Sequence, residues 1–276
     1  MKFNKVLSFV IITTILLNIT ACNYEPIDPN VNLYSAENPI AVPPNANIPV
    51  INNPSNDYFP LEVNNFWNYD NGTEIINYKL LSTDTYDSKL YYKANKAWVG
   101  YDSMMFKDSD ITSHVLKDGV NYIQRIFINR AEVIAKPANG SIPEVIGVSG
   151  IIIQPYFMTF LKDDLQVGAS FNQTIPLAIT TKTTTTQIIN SAPTVVVSNI
   201  NSTANLTFEI TLVEKTPNIF VNGYLTTVLK TKTTSSSSTD IIYTWYAKDI
   251  GIWKQTRTNA TGVVSNFLNL TAFSVL

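Results

Sequence analysis

One cysteine and one histidine are all that 276 residues contain, and each scarcity closes off a class of chemistry. A lone cysteine, Cys22, forbids an internal disulfide, so an exported chain must be held together by its apolar core alone. A lone histidine, His114, must serve any Ser-His-Asp arrangement. Arginine occurs only at Arg125, Arg130 and Arg257, and no basic cluster is interleaved with aromatics, which argues against nucleic acid as a partner. Charged residues are only 14% of the chain against 45% apolar, a balance that suits β structure better than helical bundles. Long apolar runs are also missing. The stretch 6–20 is broken by Ser8, Thr13, Thr14 and Asn18, whereas crossing a bilayer takes about 20 mostly apolar residues.

What stands at the N-terminus is an address. Lys2 and Lys5 precede the short apolar stretch, and Ile19-Thr20-Ala21-Cys22 closes it. The pattern resembles the signal peptide of bacterial lipoproteins. That resemblance implies removal of residues 1–21 and acylation of the Cys22 sulfur, with a diacylglycerol- and palmitate-type anchor. Two or more acyl chains hold a protein on a membrane stably, at about 0.8 kcal/mol per buried methylene. Losing Lys2 and Lys5 leaves 17 basic against 21 acidic side chains, a mildly acidic chain. Asn23, not aspartate, follows the cysteine, which fits the outer membrane of a Gram-negative envelope; whether the chain faces the periplasm or the cell surface is open. The covalent lipid is the only non-protein group expected, with no cofactor and no metal.

Residues 22–57 read as a tether. Between 23 and 57 lie seven of the 14 prolines and no glycine, lysine or arginine. Proline-rich chain extends by about 3.1 Å per residue, so the segment reaches up to roughly 100 Å. Residues 58–276 form one β-rich domain. Alternation at 205–215 puts Leu206, Phe208, Ile210 and Leu212 on one face and Thr207, Glu209, Thr211 and Val213 on the other. Similar runs lie at 219–231, 241–248, 252–258 and 263–276, with turns at Thr216-Pro217-Asn218 and 259–262. Shorter strands are expected at 74–81, 90–93, 97–101, 112–116, 121–128 and 132–136. Short connections between successive strands make an antiparallel meander. The threonine-rich tracts 180–186 and 231–239 read as strand ends and a hairpin, with Ser235 to Ser238 at its tip. One helix is expected over 155–165, because Tyr156, Phe157, Phe160, Leu161 and Leu165 share a helical face behind Pro155.

Leu61-Glu62-Val63-Asn64-Asn65-Phe66-Trp67 and Leu165-Gln166-Val167-Gly168-Ala169-Ser170-Phe171 share one form. Asn64 and Gly168 both tolerate positive φ, so the two heptads are candidates for equivalent turns that feed an aromatic into a strand; chance similarity is the competing reading. The first heptad belongs to a longer segment, Tyr58-Phe59-Pro60-Leu61 through Trp67-Asn68-Tyr69. It resembles the YFPLxVxNxWxY opening of uncharacterised lipoproteins from Bacteroidota. Residues 245–254, WYAKDIGIWK, look like a second segment, WYAKxxGxxK, of the same group. The resemblance implies a lipoprotein-carrier-like fold: a curved antiparallel sheet forming an open half-barrel, with one or two short helices in or near its concavity. It supplies no catalytic residue.

Chemistry-bearing clusters are sparse. Asp102, Asp108 and Asp110 lie near His114, but the Asp-x-Asp-x-Asp-Gly order of a calcium loop is absent, and a solvated acidic loop is the plainer reading. Asp163-Asp164 reads as a solvated helix end. Asp102-Ser103-Met104 fits a short O-glycosylation acceptor pattern at Ser103. Trp67, Trp245 and Trp253 read as core anchors, while Trp98 and Phe157 are candidates to line a ligand-binding concavity. The function expected is a non-enzymatic binding or assembly module for an apolar ligand, a glycan or an envelope protein. Two alternatives compete with it: a glycan- or ester-directed hydrolase using two converging carboxylates, and a purely structural envelope protein with a filled concavity.

Overall fold

The computed structural model describes residues 54–97, 110–136, 145–189 and 192–276. Its strands are β1 (Phe66–Asp70), β2 (Ile75–Tyr86), β3 (Lys89–Ala94), β4 (Ile111–Asp118), β5 (Asn121–Lys136), β6 (Val145–Lys162), β7 (Ser170–Ile189), β8 (Ala192–Val221), β9 (Tyr224–Ser235), β10 (Ser238–Ala247), β11 (Gly251–Thr258) and β12 (Val264–Ser274). Each pairs antiparallel with its neighbour in sequence. The meander does not stay open as a half-barrel: β1 pairs with β12 from Phe66↔Ser274 to Asp70↔Asn269, and the sheet closes into a barrel. Closure removes both free edges that an open sheet would leave unpaired.

Period two rules the wall. On β8, Phe208, Ile210 and Leu212 are buried while Glu209 and Val213 are exposed and Thr207 and Thr211 half-exposed. Apolar side chains face inward and polar ones outward, the reverse of a barrel that shows lipid an apolar outer band. Among the described residues no α-helix is present, and the helix expected over 155–165 is part of β6. The apolar residues there also fit period two: Tyr156, Met158 and Phe160 are buried, and Phe157 between them is 44% exposed. Pro155 is tolerated because it lies at a register shift against β5, between Ile126 and Ile128, where the ladder is already interrupted.

The expected strand over 219–231 is two strands joined at Asn222-Gly223. Both turn residues have positive φ, 48° and 88°, as a two-residue hairpin demands. Thr216-Pro217-Asn218, read as a turn, is a bulge within β8, with Asn218 at φ 59°. Segments 121–128 and 132–136 merge into β5, and the threonine tract 180–186 lies inside β7. The expected strand at 97–101 lies almost wholly outside the described residues.

The two heptads make the same turn. Asn64 (φ 76°) donates its N–H to Leu80 O at 2.9 Å, and Gly168 (φ 85°) to Leu212 O at 2.8 Å. Asn65 N–H donates to Glu62 O as Ala169 N–H does to Gln166 O, and Leu80 and Leu212 donate back to Asn65 O and Ala169 O. The likeness continues across the next strands. Phe66↔Lys79 in the first half matches Ser170↔Thr211 in the second. Immediately after Leu80 and Leu212 come bulges at Leu81 and Val213, each an exposed apolar residue at 46% and 37%. β1–β6 and β7–β12 therefore open with the same turn, register and bulge.

Twelve strands enclose more space than an eight-stranded barrel can fill with short side chains. Here Trp67, Tyr69, Tyr78, Tyr122, Phe160 and Tyr246 are all fully buried, and the chain ahead of β1 inserts Phe59 among them. Phe59 stacks on Trp67 (centroids 5.0 Å, 15°) and meets Phe160 edge-on at 5.7 Å. Segments 57–69 and 249–252 meet at this point. Trp67 Nε1 donates to Ile250 O at 2.5 Å, Tyr69 OH to Ile252 O at 2.9 Å, and Asp249 N–H to Asp57 O at 2.7 Å.

Candidate functional site

Cross-strand registers build one row of side chains on the outer wall of each half. In the first half the row runs Ser82↔Lys93↔His114↔Arg125↔Phe157 across β2 to β6. In the second it runs Glu214↔Lys230↔Trp245↔Lys254↔Asn269 across β8 to β12. The bulges at Leu81 and Val213 set both rows, because each extra residue turns the strand's following side chains to the other face.

Around the first row, Asp84, Tyr86 and Tyr91 join His114, Arg125 and Phe157. The Arg125 guanidinium lies 4.0 Å from the Tyr86 ring centroid, and Tyr86 meets His114 edge-on at 5.1 Å. Tyr86 also meets Tyr91 at 5.6 Å, and Tyr91 reaches Phe157 at 6.4 Å. The result is a continuous band of rings with a guanidinium and a carboxylate among them. His114 is covered: its Nε2 lies 2.8 Å from Asp84 Oδ2, and burial, with Arg125 and Lys93 nearby, pulls its pKa below the usual imidazole value despite that carboxylate. His114 Nδ1 has no hydrogen-bond partner among the described residues. An Asp-His pair thus exists, but among the described residues no serine hydroxyl meets its other ring nitrogen as a triad would require.

The second row exchanges the roles of ring and cation. Trp245 stands between two lysines, with Lys230 Nζ 5.0 Å and Lys254 Nζ 4.4 Å from its ring. Lys230 also lies 5.3 Å from Tyr243, and Lys254 4.9 Å from Trp253. Burial and the charge of Lys230 lower the pKa of Lys254. Trp67 is the fully buried anchor that the sequence promised; Trp245 and Trp253 are only partly buried. Trp245 faces outward because its neighbours Thr244 and Tyr246 face inward.

At one end of the barrel two carboxylates do converge. Lys117 Nζ pairs with Asp57 and lies 3.3 Å from Asp163 Oδ2. The Tyr122 hydroxyl accepts from Tyr58 N–H at 3.0 Å and lies 3.4 Å from Asp163 and 3.5 Å from Asp57. An ammonium occupies the space between these acids, so the cluster reads as a lock on the segment that carries Phe59. Asp163 and Asp164 sit in the turn after β6, not at a helix end.

Of the residues singled out from sequence, Phe157 lies on the outer wall instead of lining a concavity, because the interior is filled. His114 pairs with Asp84; Asp102 and Asp108 lie outside the described residues, as do Cys22, Trp98 and Ser103. Among the described residues no group of three or more His, Cys, Asp or Glu is placed to hold a metal. Sequence reasoning missed Tyr86, Tyr91, Arg125, Lys230 and Lys254. The alternation Lys-x-Lys at 230–232 and Tyr-x-Trp at 243–245 was the available signal for the second row. Comparison with protein-family models, with curated proteins and with solved structures finds no match.

Proposed function

We propose that the chain is a lipid-anchored envelope protein, held to the outer membrane through Cys22, and that its barrel is a non-enzymatic binding module for an acidic glycan. The observation that carries the reading is the first row. Half-exposed Tyr86 and exposed Phe157, backed by the buried ring of Tyr91, surround Arg125 on the outer wall of a barrel whose interior its own aromatics fill. Sugar rings lay their C–H faces on aromatic side chains, while arginine donates to hydroxyl and carboxylate oxygens in a fixed fork. The equivalent row in the other half supplies Lys230 and Lys254 around Trp245, so both halves offer cations beside aromatics in an overall acidic chain. That local reversal of charge favours an anionic ligand over a neutral one.

The test is calorimetric titration of the detergent-solubilised full chain with uronic-acid oligosaccharides and with neutral oligosaccharides of equal length. The expected result is binding of the acidic series, weakened about tenfold or more by Phe157→Ala and by Arg125→Ala. Absence of binding, or variants that bind like the wild type, overturns the reading. Intact mass of the same preparation is expected to carry acyl groups on the wild type and none on Cys22→Ala. The purely structural reading has one observation of its own, the filled interior, and titration without heat in every series is the result it expects.

A further inference from the structure

Beyond the barrel proper, β5 to β8 continue as a four-stranded extension. β4 pairs with β5 only as far as Ile128, and β9 pairs with β8 only from Phe208 onward. β6 and β7 pair between them over Gly147↔Thr185 to Ile153↔Ile179. Within this extension two strand edges have one neighbour among the described residues: 129–136 on β5 and 192–206 on β8.

The two edges differ in chemistry. Residues 129–136 carry Arg130, Glu132 and Lys136, the charges with which sheet proteins guard an exposed edge. From Ala192 to Phe208 there is no charged residue at all. The unguarded edge is also rich in β-branched residues and apolar on its surface, with Val196 43%, Val197 52% and Ile200 64% exposed. At about 3.4 Å per residue it offers a template roughly 50 Å long for another strand. Pro193 blunts only its tip.

We infer that the β8 edge is a docking surface for a second copy of this chain, pairing β8 with β8 antiparallel about a two-fold axis. An antiparallel pair of identical strands is self-complementary, and a strand without charge brings no like charges opposite one another. Pairing β8 with the β5 edge of another copy would be head-to-tail and would propagate without closing. The charges on β5 oppose it, and the contrast between the edges therefore selects the closed dimer. This surface is separate from the two outer-wall rows, so loss of glycan binding and loss of pairing are distinguishable.

The experiment is a scan of single cysteines through positions 196–205 in the full chain, with the unsubstituted chain as control for Cys22. Oxidised samples are read on non-reducing gels, and the wild type is sedimented beside the triple variant Val197→Lys/Asn199→Lys/Asn201→Lys. The expected result is disulfide dimer peaking at one central position and falling on either side, with a dimeric wild type and a monomeric triple variant of unchanged circular dichroism. A monomeric wild type at tens of micromolar overturns the proposal. So does cross-linking that is flat along the strand, or a cross-link that forms only to a different protein.

Discussion

Gly251 packs directly against Trp67, and Gly251→Ala is the sharpest test of that packing. A Cβ there would stand 2.7 Å from Trp67 Nε1, closer than real Cβ contacts come, and a tight 3.2 Å from its Cε2, at a backbone φ of +115°. Trp67 cannot yield freely, because it is fully buried, stacked on Phe59 and hydrogen-bonded to Ile250 O at 2.5 Å. Positive φ costs an L-residue about 1–2 kcal/mol. Displacing the indole adds about 1–2 kcal/mol for a strained or lost buried hydrogen bond and about 1 kcal/mol or more for overpacking. The whole comes to about 4 kcal/mol, and at about 2–4 °C per kcal/mol for a domain of this size the midpoint falls by about 8–16 °C. Gly168→Ala is the control: its φ is +85°, but nothing lies within 4 Å of the added carbon, so only the backbone cost of about 1–2 kcal/mol applies. Urea unfolding followed by tryptophan fluorescence measures both. If the two variants lose equal stability, or Gly251→Ala loses no more than about 1 kcal/mol, the close approach of Trp67 is not what fixes glycine there.

Lys117→Met removes the cation between Asp57 and Asp163; it is expected to cost about 2 kcal/mol in urea unfolding, and adding Asp57→Asn and Asp163→Asn is expected to restore most of it. His114 has a folded-state pKa below its unfolded one because burial disfavours the cation. Its contribution is therefore complete above about pH 6.5 and is lost as pH falls toward the folded value; a urea midpoint that drops between pH 7.5 and 5 in the wild type, and drops less in His114→Gln, is the expected outcome. Gln124 Nε2 donates to Ser113 Oγ at 2.7 Å inside the barrel, while Gln124 Oε1 has no partner among the described residues. Ser113→Ala alone is expected to cost about 1–3 kcal/mol, whereas Ser113→Ala with Gln124→Leu is expected to come within about 1 kcal/mol of the wild type, by the same unfolding assay.

Sequence reasoning reached the β class and most strand centres because period two is a local signal, and β8 displays it over Leu206 to Leu212 in both sequence and burial. It misassigned 155–165 because five bulky apolar residues in a short window satisfy the helical and the strand period at once. Only pairing with β5 decides between them, and pairing is not local. Asn222-Gly223 was legible and was passed over in favour of Pro217, although an Asn-Gly pair is the stronger hairpin signal and a proline can sit at a bulge. Closure was not legible: it depends on β1 and β12, at opposite ends of the domain, finding each other around a filled core. The outer-wall rows were hidden for the same reason. Arg125 and Tyr86, or Lys230 and Lys254, are far apart in the chain and meet only through register.

The two halves keep a backbone device and exchange the chemistry it carries. Equivalent turns at Asn64 and Gly168 and equivalent bulges after Leu80 and Leu212 place His114 where Trp245 stands, and Arg125 where Lys254 stands. Inside the barrel the halves retain the same kind of polar tie, Gln124 to Ser113 across β4 and β5 and Gln255 Nε2 to Thr244 Oγ1 at 3.0 Å across β10 and β11. The inner face answers to packing, where a changed volume or an unpaired polar atom costs stability wherever it falls. The outer face is under less of that constraint, although His114 and Tyr91 are buried there, and in both halves it gathers aromatic rings and cations at matching register. Rings beside cations recur on both rows, Arg125 with Tyr86 in one half and Lys230 and Lys254 with Trp245 in the other, and it is this recurrence that the proposed glycan-binding reading rests on.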